Sequence, residues 1–350
     1  MIQSDSKELI IKIFFSLLIY LSIVQSLYSD AAVVFTYHRF GETKYPSTNI
    51  RIEQFEQHLN YLEKNNFNVW PLSKIVRYIN DEITIPKKTV ALTMDDAYLS
   101  IYEKAYPLLK KKKFPFTVFV NTSKIRNKSN TYLNWNQMRE MSLNGAELSN
   151  HSLTHDVLIP RDNEEKKQWQ KRIKKELEGA QIKLQKEIGI DTNNNPKIIS
   201  YPYGEYNLES AQYIESLGYV GVTQTSGPID SNTDLRFMPR FAMAEAFGDI
   251  DGFALKANTL PLPIASASTY EPILEGSYPP SLVLNLKHPI KRMNCFTSNG
   301  QKINIKWISE LEAEIKSDKK IRTPRDRYTC TAPAKDKKWY WYSHLWIIKD

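Results

Sequence analysis

Two adjacent carboxylates and two spaced imidazoles are the side chains of this sequence best suited to chemistry. Asp95 and Asp96 lie just after residues 90–93, which predict a strand, with only Met94 between them. His151 and His155 follow a second short predicted strand, at 146–149. Parallel sheets place their active sites at the carboxyl ends of strands, and one carboxylate with two imidazoles is a common catalytic zinc set. The pattern therefore predicts a metal-dependent site.

Each half of this pattern also has a plainer interpretation. Adjacent acids after a strand are often a turn or a helix cap, and two histidines can simply lie on the surface. The chain has only six histidines, so a pair at ligand spacing favours a metal site. No glutamate stands next to His151, which excludes the zincin motif. Asp95 or Asp96 can supply the base instead.

Three motifs occur in order along the chain: TMDDAY at 93–98, HSLTH at 151–155 and YPYG at 201–204. In this order they resemble the successive motifs of the polysaccharide deacetylases, the NodB-like carbohydrate esterase family 4. The resemblance extends over roughly residues 33–247. It implies a distorted (β/α)7 barrel and a bound divalent metal, usually zinc.

Carried over position by position, the resemblance assigns the metal ligands and the base. Asp96, His151 and His155 become the ligands, and Asp95 becomes the general base. The chemistry is consistent, because zinc lowers the pKa of a bound water toward 7. A neighbouring carboxylate that does not bind the metal can then accept the water proton.

The sequence Tyr-His-Arg-Phe at 37–40, together with the Tyr-Pro-Tyr-Gly form, resembles one subgroup of this family. Its members are exported bacterial enzymes that remove acetyl groups from poly-N-acetylglucosamine. The subgroup implies that His38 is the acid that protonates the leaving amine. It also implies that the backbone N–H of Tyr203 donates to the developing oxyanion, in a turn that Pro202 fixes.

Two positions depart from the family pattern. Ala97 replaces the usual glycine after the paired aspartates, which matters if the turn needs a positive φ. Ser200 replaces the arginine that many members carry two residues before the proline and that orients the base. We expect Arg240 to substitute for that arginine, although it can also be interpreted as a surface residue.

Aromatic side chains near the motifs are candidates for binding sugar, since an apolar ring suits the C–H face of a pyranose. Tyr98 and Tyr203 lie within the motifs, and Trp135 follows a polar loop. Trp135 is also compatible with a simple core position.

The elements that must position these residues alternate between short apolar runs and amphipathic segments. The predicted strands are 32–37, 67–70, 88–93, 116–120, 146–149, 196–201 and 220–223. The predicted helices are 52–65, 72–79, 100–112, 136–144, 163–188 and 208–217. This alternation predicts an α/β fold with a parallel sheet closed as a barrel.

The pattern changes after about residue 252. Residues 282–286 and 303–307 alternate with period two, and 338–347 is aromatic on both faces. These patterns predict antiparallel strands. We therefore divide the chain into a deacetylase domain at 32–252 and a small β-sandwich-like domain at 253–350.

The amino-terminal residues 1–31 predict a signal peptide or an amino-terminal anchor. Residues 13–24 are apolar and follow Lys7 and Lys12. The two cysteines, Cys295 and Cys330, predict one disulfide in an oxidising compartment, or two buried thiols in a cytosolic chain. Together these features favour export to a bacterial periplasm or cell surface.

Composition narrows the functional classes. The 350 residues are 41% hydrophobic and 25% charged, which excludes disorder and a polytopic membrane protein. The net charge of +8 comes with no nucleic-acid recognition motif. We predict a zinc-dependent N-deacetylase whose partner is an N-acetylated glycan. The alternatives are a deacetylase of peptidoglycan or lipid-linked sugar, a non-catalytic glycan-binding relative, and an adhesion or assembly protein dominated by its β-domain.

Overall fold

The computed structural model describes residues 31–127, 129–189, 195–274, 279–322 and 324–348. Ala31–Asp350 form one compact unit. The predicted signal or anchor at 1–31 lies outside the described residues, apart from Ala31. No helix in the described ranges combines the length and the hydropathy that a membrane crossing requires.

Residues 32–242 build a curled sheet of parallel strands. Its order is β10-β1-β5-β6-β7-β8-β9, and β4 pairs with the first part of β5. The strands are β1 Ala32–Tyr37, β4 Asn68–Val69, β5 Thr89–Met94, β6 Phe116–Val120, β7 Ala146–Asn150, β8 Lys197–Ser200, β9 Tyr219–Val222 and β10 Phe241–Ala242. An isolated parallel β-bridge between Val222, at the end of β9, and Met238 extends the curved sheet beyond β9. The predicted distorted (β/α) barrel is confirmed.

Burial on both faces explains why the barrel strands are continuous apolar runs. Every residue of β1, β5 and β6 is buried, as expected for parallel strands covered on both sides. On β1, Val33 and Phe35 join the cluster that includes Phe55, whereas Val34 faces the opposite cluster with Ile75. A two-stranded sheet, β2 Arg39–Phe40 with β3 Asn49–Ile50, lies next to β1 in the chain.

The helices follow the predicted segments closely, except the last, Ile250–Ala257, which the sequence pattern did not predict. They are Ile52–Lys64, Leu72–Asn80, Tyr106–Lys112, Trp135–Leu143, Lys166–Ile188, Leu208–Ser216 and Ile250–Ala257. The helix predicted at 100–112 is interrupted, because Ile101–Ala105 is a π-helical turn. The physical reason is Pro107, which has no N–H to continue the α-helical ladder. The Tyr106 N–H instead donates to the Ile101 carbonyl.

The carboxyl-terminal part is all β-structure, as predicted. Its strands are β11 Leu260–Pro261, β12 Ile264–Ala267, β13 Ile273–Leu274, β14 Ser281–Leu286, β15 Asn294–Phe296, β16 Lys302–Ile303, β17 Ile305–Trp307, β18 Glu312–Lys316, β19 Arg325–Pro333 and β20 Trp339–Ile348. They form a six-stranded and a four-stranded sheet. The domain boundaries remain a prediction, and helix Ile250–Ala257 spans residue 252.

The predicted disulfide is confirmed. Cys295 on β15 and Cys330 on β19 are directly paired residues of the ladder, with Cα atoms 4.1 Å apart. The alternative of two separate thiols is wrong.

The carboxyl-terminal sheets pack against the barrel. Leu345 and Ile347 of β20 share an apolar cluster with Ile199 of β8, and Trp341 meets Phe241 of β10 edge to face at 5.1 Å. The carboxyl-terminal part is therefore in apolar contact with barrel strands.

Candidate metal and hydrolytic site

Three side chains that can hold a metal meet at the carboxyl edge of the barrel sheet. Asp96 follows β5, and His151 and His155 follow β7. Oδ1 of Asp96 lies 3.4 Å from Nε2 of each histidine, and the three ligand atoms lie within 4.8 Å of one another. His151 is buried, and the other two are half-buried. The structure thus brings the three predicted ligands together.

Backbone conformations in the left-handed region, with positive φ, orient these side chains. Asp96, Ala97, Ser152 and His155 have φ values of 72°, 55°, 63° and 66°. Each non-glycine residue in this region costs of order 1 kcal/mol. The turn after Asp95 therefore does need a positive φ, and Ala97 adopts it with a buried methyl group.

Burial and neighbouring charges set the pKa values of the three candidate ligands. Nδ1 of His151 donates to the Ser200 carbonyl at 2.8 Å, which leaves Nε2 for Asp96. Burial lowers the pKa of His151, but its hydrogen bond to the Asp96 carboxylate and the charges of Asp95 and Asp96 raise it overall. Burial and then the neighbouring His151 lower the pKa of His155 to about 4. Burial raises the pKa of Asp96, but its contacts with His151 outweigh burial and lower that pKa to about 2. A carboxylate beside imidazole nitrogens fits a divalent metal.

The second aspartate is held by a buried arginine. Asp95 and Arg240 are both fully buried, and the guanidinium donates to both carboxylate oxygens at 2.8 Å. Ser200 Oγ donates to Asp95 at 3.1 Å and accepts from Arg240 at 2.8 Å, while Arg240 also donates to Thr93 and to the Thr223 carbonyl. Arg240 is therefore not a surface residue. Burial raises the pKa of Asp95, but Arg240 outweighs burial and holds that pKa well below its usual range.

His38 lies beside this carboxylate. It follows β1, and its Nε2 is 4.0 Å from Oδ2 of Asp95. Burial lowers the pKa of His38, although Asp95 and Asp96 oppose that shift. The side chain is 14% exposed, so it can exchange a proton with a bound molecule. His38 thus stands at the same sheet edge as the candidate ligands.

The Tyr-Pro-Tyr-Gly segment forms a tight turn on the other side of the site. Pro202–Gly204 is a 3₁₀ turn in which Tyr203 has a φ of 60°. The Tyr203 ring is exposed and meets His155 edge to face at 4.6 Å. A Cβ on Gly204 would lie 2.9 Å from the Gln224 backbone nitrogen. The close approach and the positive φ explain the glycine.

A stack of aromatic and guanidinium groups lies beside Asp96. Arg39 lies between the rings of Tyr45 and Tyr98, at 3.9 and 3.6 Å from their centroids, and Tyr98 stacks on Tyr132 at 5.4 Å. Burial and then the neighbouring Asp96 raise the pKa of the Tyr98 hydroxyl. The sequence motifs predict Tyr98 as a site residue but not Arg39, Tyr45 or Tyr132. The stack joins residues 39–45 to residues 98 and 132, and contacts between such distant segments leave no local spacing signal.

Trp135 begins a helix and packs against the apolar core of the barrel. A sugar-binding role for Trp135 stays a prediction.

Comparison with known proteins agrees with this arrangement. Residues 82–222 match the family model for polysaccharide deacetylases. A Bacillus subtilis relative whose name assigns it to the polysaccharide deacetylases is 28% identical over 179 residues, or 50% of this chain and 58% of that protein. The poly-beta-1,6-N-acetyl-D-glucosamine N-deacetylase of Staphylococcus aureus strain COL is 28% identical over 219 residues, or 59% of this chain and 73% of that protein.

Solved structures support the fold. The Streptococcus pyogenes deacetylase PplD, in complex with acetate, matches with a TM-score of 0.57 and 24% identity. The match covers 66% of this chain and 99% of that one. The family match includes Asp95, Asp96, both candidate histidine ligands and Tyr203, whereas His38 and Arg240 lie outside it.

Proposed function

We propose that this chain, which carries a polysaccharide deacetylase domain at residues 82–222, removes N-acetyl groups from an exported polysaccharide that contains N-acetylglucosamine. The observation that carries the proposal is that the two adjacent carboxylates have different partners. Asp96 faces two histidine nitrogens at 3.4 Å, while Asp95 is bound by Arg240 and Ser200. One carboxylate is available to a metal and the other to a proton.

A divalent metal at Asp96, His151 and His155, which we propose to be zinc, would polarise the acetamide carbonyl and acidify the attacking water. The Asp95 carboxylate accepts the proton of that water, with its position fixed by Arg240. The backbone N–H of Tyr203 donates to the developing oxyanion. The water oxygen bonds to the acetamide carbon, and the C–N bond breaks as protonated His38 donates its Nε2 proton to the leaving nitrogen. The products are acetate and a free amine.

The non-catalytic alternative is less consistent with the buried pair. Keeping a carboxylate and a guanidinium fully desolvated costs several kcal/mol before their attraction is counted. A protein that only binds glycan has no use for that cost at Asp95. The relationship to the poly-beta-1,6-N-acetyl-D-glucosamine N-deacetylase supports this polymer as the substrate and an extracellular location.

The test is metal content and acetate release from purified protein. We expect about one divalent metal per chain and acetate release from β-1,6-linked N-acetylglucosamine oligomers. Peptidoglycan fragments are the comparison substrate. His151→Ala should lose both metal and activity, whereas His288→Ala, which changes an exposed histidine, should keep both. Metal binding without acetate release from either substrate would leave a glycan-binding protein and refute the proposal.

A further inference from the structure

Two arginines of the carboxyl-terminal sheet face the barrel. Strand β19 alternates strictly between half-buried and buried residues. Asp326, Tyr328 and Cys330 are buried, whereas Arg325 and Arg327 lie on the opposite face. Both arginines contact loops at the carboxyl edge of the barrel, more than 100 residues earlier in the chain.

Arg325 holds the turn that carries Tyr203. Its Nη1 donates to the Tyr203 carbonyl at 2.8 Å and lies 3.3 Å from a carboxylate oxygen of Glu205. The guanidinium carbon is 5.9 Å from the centre of the Tyr203 ring. One side chain thus contacts both ends of residues 203–205.

Arg327 holds the segment on which this turn rests. Its Nη1 donates to the Gln224 carbonyl at 3.0 Å and to Ser226 Oγ at 3.1 Å. Gln224 is the residue that a Cβ on Gly204 would meet. Arg325 therefore restrains the turn by direct contact, and Arg327 restrains it by holding Gln224, the residue that lies against Gly204.

The turn needs such a restraint. Tyr203 is an exposed aromatic residue at a φ of 60°, and a non-glycine residue remains there only when its surroundings impose it. Hydrogen bonds from a charged donor are stronger than those from neutral groups.

We propose that Arg325 and Arg327 are positioning residues for deacetylation. Through them the carboxyl-terminal sheet fixes the backbone of Tyr203 relative to the metal ligands, so this sheet completes the active site. The inference rests on the proposed function, because the position of Tyr203 matters for rate only if its N–H faces the reacting acetamide.

Arg325→Gln is the main variant, and Lys306→Gln is its control. Lys306 forms an exposed ion pair with Glu314 elsewhere in the carboxyl-terminal part. The measurements are kcat and KM for acetate release, metal content, and hydrogen exchange of the peptide that spans residues 202–206. We expect Arg325→Gln to lower kcat about tenfold. This is less than the roughly 10²–10³-fold loss on removing an oxyanion donor.

The other readouts separate positioning from general stability. KM should stay within about twofold, metal content should not change, and exchange in 202–206 should become faster. Arg325→Lys keeps a charged donor, so it should recover part of the lost kcat. It also serves as the test variant if Arg325→Gln does not fold. Arg327→Gln should give a smaller loss of the same kind, and Lys306→Gln should behave like the unchanged protein.

Two results would overturn the inference. One is unchanged exchange in 202–206, which shows that Arg325 does not restrain the turn. The other is faster exchange with normal kcat, which shows that the restraint has no role in catalysis. An unchanged protein that binds metal but releases no acetate refutes the proposed function instead, and exchange then still tests whether the restraint exists.

Discussion

The carboxyl edge of the barrel and the carboxyl-terminal sheets are held in their conformations by different interactions. At the barrel edge, Asp96, Ala97 and His155 have positive φ and are buried or half-buried, and a buried ion pair joins Asp95 to Arg240. Tyr203 has positive φ at the same edge but is exposed. In the described part of the carboxyl-terminal sheets, positive φ at non-glycine residues occurs only in exposed turns, at Arg292, Asp336 and Lys337. Strands with regularly alternating buried and half-buried residues, together with one disulfide, stabilise that region.

The difference shows where conformational energy is stored. Strain and desolvated charge are each unfavourable for folding, and they concentrate where side chains must point at a common centre. The carboxyl-terminal sheets, which need only be rigid, follow the simple period-two alternation of buried and half-buried side chains. Variants in the two regions should therefore fail in different ways.

The largest effect should come from Asp95→Asn. We expect metal to remain bound and acetate release to fall by roughly 10²–10⁴-fold, since the general base is removed. The variant also leaves Arg240 without its counter-ion, so rates should be measured well below the unfolding midpoint. A rate near that of the unchanged protein would assign the base role to another group.

Arg240→Met should reduce the free energy of unfolding by roughly 3–5 kcal/mol, because it leaves a buried carboxylate unpaired. The matched control is Arg236→Met. Arg236 forms a similar pair with Asp234, but both side chains are about one-third exposed, and exposed pairs contribute about 0–1 kcal/mol. Urea unfolding measures both. Equal losses would contradict the contrast between buried and exposed pairs.

In the carboxyl-terminal sheets, replacing both Cys295 and Cys330 with serine should destabilise the protein by roughly 3–4 kcal/mol. The disulfide closes a loop across a sequence separation of 35, and the value follows from the chain entropy of that loop. Acetate release at low temperature should change little. Reduction of the unchanged protein should give the same shift in urea unfolding, and a shift below about 1 kcal/mol would show that the ladder alone holds these strands.

The smallest effect per residue should be a pH dependence shared by both regions. Burial lowers the pKa of His58, in the barrel, and of His344, in β20, from 6.5 to about 4. The unfolded chain therefore binds more protons between pH 6.5 and 4. The stability from keeping each histidine neutral is complete above pH 6.5 and is lost as pH falls toward 4.

At pH 5 the loss should be about 2 kcal/mol for each of these two histidines. Urea unfolding of the metal-loaded protein at pH 7 and pH 5 measures the sum. His288→Gln should not alter the difference, since His288 is exposed. An equal free energy of unfolding at the two pH values would mean that the two rings are protonated in the folded state.

Local patterns were sufficient for much of the fold. The predicted strands 32–37 and 116–120 match β1 and β6 to the residue, because both are apolar runs bounded by polar or turn-forming residues. The π-helical turn Ile101–Ala105 was missed, since its side chains follow nearly the same periodicity as an α-helix.

The site was predictable where its residues belong to motifs or, like Arg240, replace a residue that the family pattern requires. Asp96, His151 and His155 follow strand ends and converge as expected. The Ser200 carbonyl, which orients His151, and the guanidinium of Arg39, between two rings, were missed. The contacts of His151 with Ser200 and of Arg39 with Tyr98 join segments far apart in sequence, and no local pattern encodes them.

The hydrogen bond between Arg325 and Tyr203 joins residues 122 positions apart. Closing so long a loop carries an entropic cost, and such contacts form late in folding. During synthesis the barrel strands emerge well before β19, so the turn at Tyr203 receives this contact only when the chain is almost finished. If the turn controls the rate, a chain that has not yet reached Arg325 remains a poor catalyst, and the order of synthesis itself delays the onset of activity.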